Sequence, residues 1–135
     1  IRQSDIITVH LPLTPESYHM IDRETLATAK DGVILINTAR GELMELDALI
    51  EGIESEKIGA LAMDVFENED GIYHQNRKTD ILRNQKMAYL RQFPNVVLTQ
   101  HMAFYTDTNV RSMVDCGIEG LLTLQETGSA PTLLV

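Results

Sequence analysis

The chain has 135 residues, 44% of them hydrophobic, and 20 acidic side chains against 11 basic ones give a formal charge of −9. That length suffices for one core, the acidity argues against nucleic acid or an anionic membrane surface as the main partner, and no apolar run approaches the roughly 20 residues that span a bilayer. The single cysteine, Cys116, rules out an internal disulfide, fits a reducing compartment such as the cytoplasm, and reads as a buried, inert thiol.

The chain begins in mid-pattern at Ile1, with no initiating methionine and no visible signal peptide, and reads as part of a longer polypeptide. Ile6 to Leu11 is a β-branched strand that Pro12 stops. A polar loop follows, and Asp22 can cap a short helix from Arg23 to Lys30. Asp31-Gly32 is a break. Val33 to Asn37 is a second strand, whose unbroken apolar run predicts burial on both faces. Leu46, Leu49, Ile50 and Ile53 have the spacing of a helix running from Leu46 to about Ile53. Ile58 to Met63 is the third strand.

The loop from Asp64 to Thr79 is long, polar and acidic at first, and its length marks it as a candidate for function. A helix from Asn84 to about Gln92 and a strand from Val96 to Thr99 come next. Thr106 then opens a helix with Val110, Met113, Val114, Gly117, Ile118 and Leu121 on one face, running to about Glu126 before Gly128. The six methionines read as core filler. Strands alternating with helices predict an α/β fold with a parallel sheet. The polar clusters all follow strands, which gathers them at one edge of that sheet, where ligands bind in such folds.

Three of these clusters carry chemistry. Arg40 follows the second strand, and its planar fork can grip a carboxylate through two hydrogen bonds; alone, it is equally a surface ion-pair partner. His101 follows the fourth strand and is the natural general acid and base; a lone histidine is more often bonded to loop backbone. Glu69 can fix an imidazole's tautomer, whereas an isolated acid in an acidic loop is usually just solvated. Together they form a cation, an acid and an imidazole, each beyond a different strand. Asp64 can accept a hydrogen bond from a ligand amide or cap its loop. His10, His19 and His74 lack metal-ligand spacing and read as structural or solvated, so no metal is expected. Tyr73 and Tyr89 have no assigned role.

Ile36-Asn-Thr-Ala-Arg-Gly41, Ala62-Met-Asp-Val-Phe-Glu-Asn-Glu69 and Pro94-Asn-Val-Val-Leu-Thr-Gln-His-Met-Ala-Phe-Tyr-Thr106 closely resemble the D-specific 2-hydroxyacid dehydrogenases. The nearest branch is the one with D-lactate and D-2-hydroxyisocaproate dehydrogenases, which Phe104-Tyr105 favours. Val9 to Thr14 is similar to that family's segment beside the cofactor adenine. The resemblance implies the second half of a Rossmann-type parallel sheet with flanking helices. Residues 1–105 would be the C-terminal part of the NAD-binding domain, and residues 106–135 a helix and tail returning to the substrate domain.

By the same resemblance, Arg40 binds the carboxylate and carbonyl of a 2-oxo acid, His101 is the acid/base, and Glu69 supports it. Asp64 lies near the nicotinamide carboxamide, and Thr38 and Ala39 turn their backbone toward the nicotinamide ribose. His10 and Pro12 border the adenine, while Arg40, His101 and Ala103 also line the cofactor site, and Phe104 lines the substrate pocket. The implied reaction is reversible reduction of a 2-oxo acid by NADH. Implied partners are the small 2-oxo or 2-hydroxy acid, and a second copy in a homodimer or the upstream half of the same protein.

The chain departs from the family in lacking a G-x-G-x-x-G fingerprint and the ribose-binding acid after it, so the isolated piece is expected to be inactive. Glu45 stands where a short capping acid is usual, and Gln100 replaces a proline. The alternatives are a phosphoglycerate-, glyoxylate- or formate-type dehydrogenase of the same family, or a non-catalytic NAD-sensing binding module.

Overall fold

The computed structural model describes residues 1–69 and 84–129. Tyr73, His74 and the expected loop beyond Glu69 lie outside the described residues. Four strands, β1 (Ile6–Val9), β2 (Val33–Asn37), β3 (Ile58–Met63) and β4 (Val96–Leu98), form a parallel sheet in the order β1-β2-β3-β4. Helices α1 (Arg23–Thr28), α2 (Leu46–Glu54) and α3 (Gln85–Leu90) fall between successive strands in sequence, and α4 (Asp107–Thr127) follows the last. This is the α/β architecture that the alternation of elements predicted.

Each strand's neighbour in the sheet is the next one in sequence. Every crossover therefore steps the same way, and right-handed crossovers then place all the connecting helices on one face. Burial follows that rule. In β2, Val33, Leu35 and Asn37 are buried, but Ile34 and Ile36 only partly so. The expectation that this strand is buried on both faces is corrected: an apolar run does not report how many layers cover it. On the covered face Val9, Leu35, Leu61 and Met63 join Leu26, Leu49, Ile53, Met87 and Leu90 in one core. On the opposite face Ile6 is 58% exposed and Val97 59%.

Local chemistry sets the element ends. The Asp22 carboxylate accepts from Thr25 N at 2.8 Å, Asn84 Oδ1 from Met87 N at 3.0 Å, and Thr106 Oγ1 from Asn109 N at 3.3 Å. Gly128, at φ +72°, ends α4 in the left-handed region that glycine enters without penalty. Glu45 makes no cap bond to α2; its carboxylate accepts from Arg23 Nη1 at 2.8 Å instead. β1 stops at Val9, short of the expected Leu11, because its partner β2 ends at Asn37, opposite Val9. α1 stops at Thr28, short of Lys30, where Ala29 N closes a tighter turn onto Leu26 O at 3.0 Å. A short 3₁₀ turn at Gly41–Leu43 has no counterpart in the predicted elements.

The chain divides into two compact units, Ile1–His101 and Met102–Val135. In the second, α4 buries none of its residues, with Met113 61% and Leu121 69% exposed. Cys116 lies on this helix and is exposed, which corrects its reading as a buried thiol. The methionines divide in the same way: Met44, Met63 and Met87 are core, whereas Met102 and Met113 are exposed. Among the described residues, no helix is long and apolar enough to cross a membrane.

Candidate active site

β2 ends in Asn37, whose side chain is fully buried. A buried amide needs partners. Its Nδ2 donates to Arg40 O at 2.8 Å, and its Oδ1 accepts from Ala39 N at 3.0 Å. The turn Thr38-Ala39-Arg40 is thereby held from inside the core. Arg40 is exposed, with Nη1 donating to Ala39 O at 2.7 Å. Gly41 follows, and a Cβ there would stand 2.2 Å from Glu67 N and from Phe66 C. The arginine turn thus rests backbone to backbone on the loop after β3, an approach only glycine permits.

That loop opens with Asp64, 4% exposed. Its N–H donates to Asn37 O at 2.9 Å, its carbonyl accepts from His101 N at 2.6 Å, and Thr99 Oγ1 donates to its carboxylate at 2.5 Å. One residue therefore ties the ends of β2, β3 and β4 together. The loop then turns back at Asn68, φ +58°. This swings Glu69 around so that its Oε2 accepts from Phe66 N at 2.7 Å while its Oε1 meets His101 Nδ1 at 2.5 Å. His101 sits at φ +54°, a region that histidine enters more readily than most side chains. The two partners are 29% and 21% exposed at the side chain, so water screens the pair only in part. A carboxylate on Nδ1 fixes the tautomer and the orientation of the ring.

Of the residues singled out from the sequence, Glu69 and His101 are in contact, and Arg40 stands on the turn that backs onto their loop. His10 and Pro12 follow β1: Thr8 Oγ1 lies 2.7 Å from His10 Nε2, and Pro12 O accepts from Ser17 Oγ at 2.8 Å. Thr38 is exposed and Ala39 half-buried. Ala103 and Phe104 belong to the second unit, where the Phe104 ring meets Tyr105 edge-on, centroids 6.1 Å apart. Tyr89, which had no assigned role, donates to Glu54 at 2.6 Å.

Asn37, Gly41 and Thr99 escaped the sequence reading. The first had a signal, since Asn before a short polar turn favours a side-chain-closed turn. Thr99 had none, because its partner lies 35 residues away. Among the described residues no group of three or more His, Cys, Asp or Glu is placed to hold a metal ion.

The donor set of this edge suits a dinucleotide. Exposed Leu11 and Leu13 flank Pro12 beyond β1 and offer an apolar surface to a flat base. Thr38 is exposed on the turn after β2, within reach of a ribose, whereas Asp64 is 4% exposed and its carboxylate already accepts from Thr99 Oγ1.

Comparison with known proteins agrees with this chemistry. Residues 1–103 match the sequence profile of the D-isomer specific 2-hydroxyacid dehydrogenases, NAD binding domain. An aromatic 2-oxoacid reductase of Clostridium sporogenes is 48% identical over 93% of this chain and 37% of its own length. The D-lactate dehydrogenase of Escherichia coli is 35% identical over 98% of this chain and 40% of its own. Among solved structures, a D-lactate dehydrogenase from Sporolactobacillus superimposes with a TM-score of 0.93 at 32% identity, covering 98% of this chain and 40% of that one. The NAD-complexed D-isomer specific 2-hydroxyacid dehydrogenase of Lactobacillus delbrueckii gives 0.90 at 34% identity, covering 99% and 40%. The chain thus spans about two fifths of the length of these relatives. The match over residues 1–103, together with the parallel sheet and the residues gathered at its carboxyl edge, places the chain in the D-isomer-specific 2-hydroxyacid dehydrogenases, as part of their NAD-binding domain.

Proposed function

We propose that the protein carrying this chain reduces a 2-oxo acid reversibly to a D-2-hydroxy acid, with His101 as acid/base, Glu69 as its support and Arg40 as the carboxylate anchor. The observation that carries this reading is the bond from Glu69 Oε1 to His101 Nδ1, on a loop packed against the Arg40 turn. Arg40 holds the substrate carboxylate and orients its carbonyl toward the imidazole. His101 Nε2 donates a proton to the carbonyl oxygen during reduction and takes it back from the hydroxyl in the reverse direction. Glu69 stabilises the charged ring before transfer and keeps Nδ1 protonated after it. When bound, NAD supplies the hydride chemistry at the substrate's C2. Thr38 and Ala39 would face its ribose, Asp64 its carboxamide, His10 and Pro12 its adenine, and Ala103 would border it. Phe104 would line the substrate pocket.

Residues 1–105 would complete the NAD-binding domain, with residues 106–135 returning to a substrate domain. Exposed Cys116 fits a reducing, cytoplasmic setting. The 48% identity to the aromatic 2-oxoacid reductase favours a bulky side chain on the substrate over pyruvate.

The test is NADH consumption by the full-length protein with pyruvate, 4-methyl-2-oxopentanoate and phenylpyruvate, and chiral analysis of the product. His101→Ala is expected to lower kcat by about 10²- to 10⁴-fold. Arg40→Lys should raise KM for the acid, because an ammonium cannot form the paired hydrogen bonds. An unchanged kcat in the His101 variant would refute the reading. The 135-residue chain alone is expected to neither bind NADH tightly nor turn over, which titration with NADH checks.

A further inference from the structure

His19 lies far from the candidate site in sequence, and its spacing gives it no chemistry. Its position in the fold is more informative. Its backbone is at φ +51°, with N–H donating to Glu42 O at 2.8 Å. That carbonyl belongs to the 3₁₀ turn that follows Arg40 directly. Its ring Nε2 lies 3.2 Å from Glu67 Oε1, the side chains being 28% and 18% exposed. Tyr18 stacks on the His19 ring at 4.0 Å and donates to the same Glu67 oxygen at 3.5 Å. Glu67 stands between Phe66, whose N–H holds Glu69 Oε2, and Asn68, whose left-handed backbone turns the loop. Its own N–H is in the plane against which Gly41 packs. A single residue thus grips the Arg40 turn through its backbone and the Glu69 loop through its ring.

We infer that His19 and Glu67 are positioning residues that lock the Arg40 turn to the Glu69 loop and so hold Glu69 on His101. This rests on the roles proposed above for Arg40, Glu69 and His101. Asp64 N–H to Asn37 O joins the two segments at their roots, but beyond it Gly41 meets the Phe66–Glu67 backbone by packing, and packing permits sliding. The His19–Glu67 bond fixes their relative position at a second point. A shift of about 1 Å at such a site is enough to cost on the order of 100-fold in rate. Glu67 acts here as a hydrogen-bond acceptor, so an amide of the same shape should serve as well.

The readout is the proton on His101 Nδ1, which a bond to a carboxylate moves far downfield in the proton NMR spectrum of the 135-residue chain. Glu69→Gln should abolish that signal; if it persists, the Glu69–His101 reading itself fails. Given its loss there, Glu67→Ala and His19→Asn are expected to weaken or abolish it, and Glu67→Gln to retain it. Asparagine tolerates the left-handed backbone but is too short to reach Glu67, so His19→Asn removes the ring contact and spares the turn. Persistence of an unchanged signal in both Glu67→Ala and His19→Asn overturns the inference and leaves the catalytic reading intact. Should Glu67→Ala fail to fold, His19→Asn decides alone. In the full-length enzyme, Glu67→Ala should lower kcat by about 10- to 100-fold with NADH affinity unchanged.

Discussion

Asn37 and Gly41 flank the arginine that the proposed chemistry needs, and each is there for a reason of its own. Asn37 closes the turn with a donor and an acceptor while fully buried. Asn37→Ala would strand the Ala39 N–H and leave the Arg40 carbonyl with only the longer bond from Leu43 N–H at 3.3 Å, at a cost of about 1–3 kcal/mol. Urea unfolding should show it as a lower midpoint with an unchanged slope. Gly41→Ala would drive a methyl into the Phe66–Glu67 backbone, which cannot move aside as a side-chain tip could. We expect lost stability, and a raised KM for the 2-oxo acid in the full-length enzyme as the arginine turn lifts off its support. An unchanged KM would show that the turn tolerates the separation.

At the scale of elements, the helix caps are the features that pH should reach. The Asp22 carboxyl is held below its ordinary range, chiefly by the hydrogen bond from the Thr25 backbone. A group whose folded pKa is depressed contributes stability above its unfolded pKa and loses it as pH falls through the folded value. Stability of α1 should therefore decline on acidification through and below the usual carboxylate range. Asp22→Asn, whose amide oxygen still caps, should flatten that part of the acid limb, whereas Asp22→Ala should lower stability at neutral pH as well. Thermal unfolding followed against pH distinguishes the three proteins. Arg23 adds to this region by bridging Glu45 and Glu51. The caps at Asp22 and Thr106 were legible in the sequence because each acts on an N–H three residues away, whereas Asn84, read as the first helical residue, proves to be a cap. The early ends of β1 and α1, each two residues short of expectation, were not legible, since they depend on where β2 stops and how the chain turns at Ala29.

At the scale of the whole molecule, the sheet and α4 leave apolar side chains open to solvent. Among the described residues β1 and β4 each pair on one side only, and Ile6 and Val97 stand exposed on the open face. Unpaired apolar edges recruit partners. The 135-residue chain is therefore expected to self-associate, and sedimentation should show a species heavier than the monomer. Val97→Lys should shift that distribution toward the monomer, and a wild-type chain that stays monomeric at high concentration would refute the expectation. α4 repeats the theme: of the apolar stripe that its spacing predicted on one face, Met113, Val114, Ile118 and Leu121 are exposed.

The sequence by itself determined the strand and helix periods, the limits of β2 and β3, the side-chain caps at Asp22 and Thr106 and the stop at Gly128. It also placed the chemistry after the strands, because strand ends and caps are written in residues a few positions apart. Its motifs were dense enough to reveal the family. The family resemblance had already paired Glu69 with His101, but only the tertiary structure decided what the other two acids of the Asp64–Glu69 loop, Asp64 and Glu67, would meet. Folding sends them to Thr99 and His19 in turn. It alone decided that one face of the sheet is covered and the other open, and that Cys116 is exposed. Each of these depends on segments more than thirty residues apart meeting in space, or failing to meet, and no local pattern encodes such an encounter.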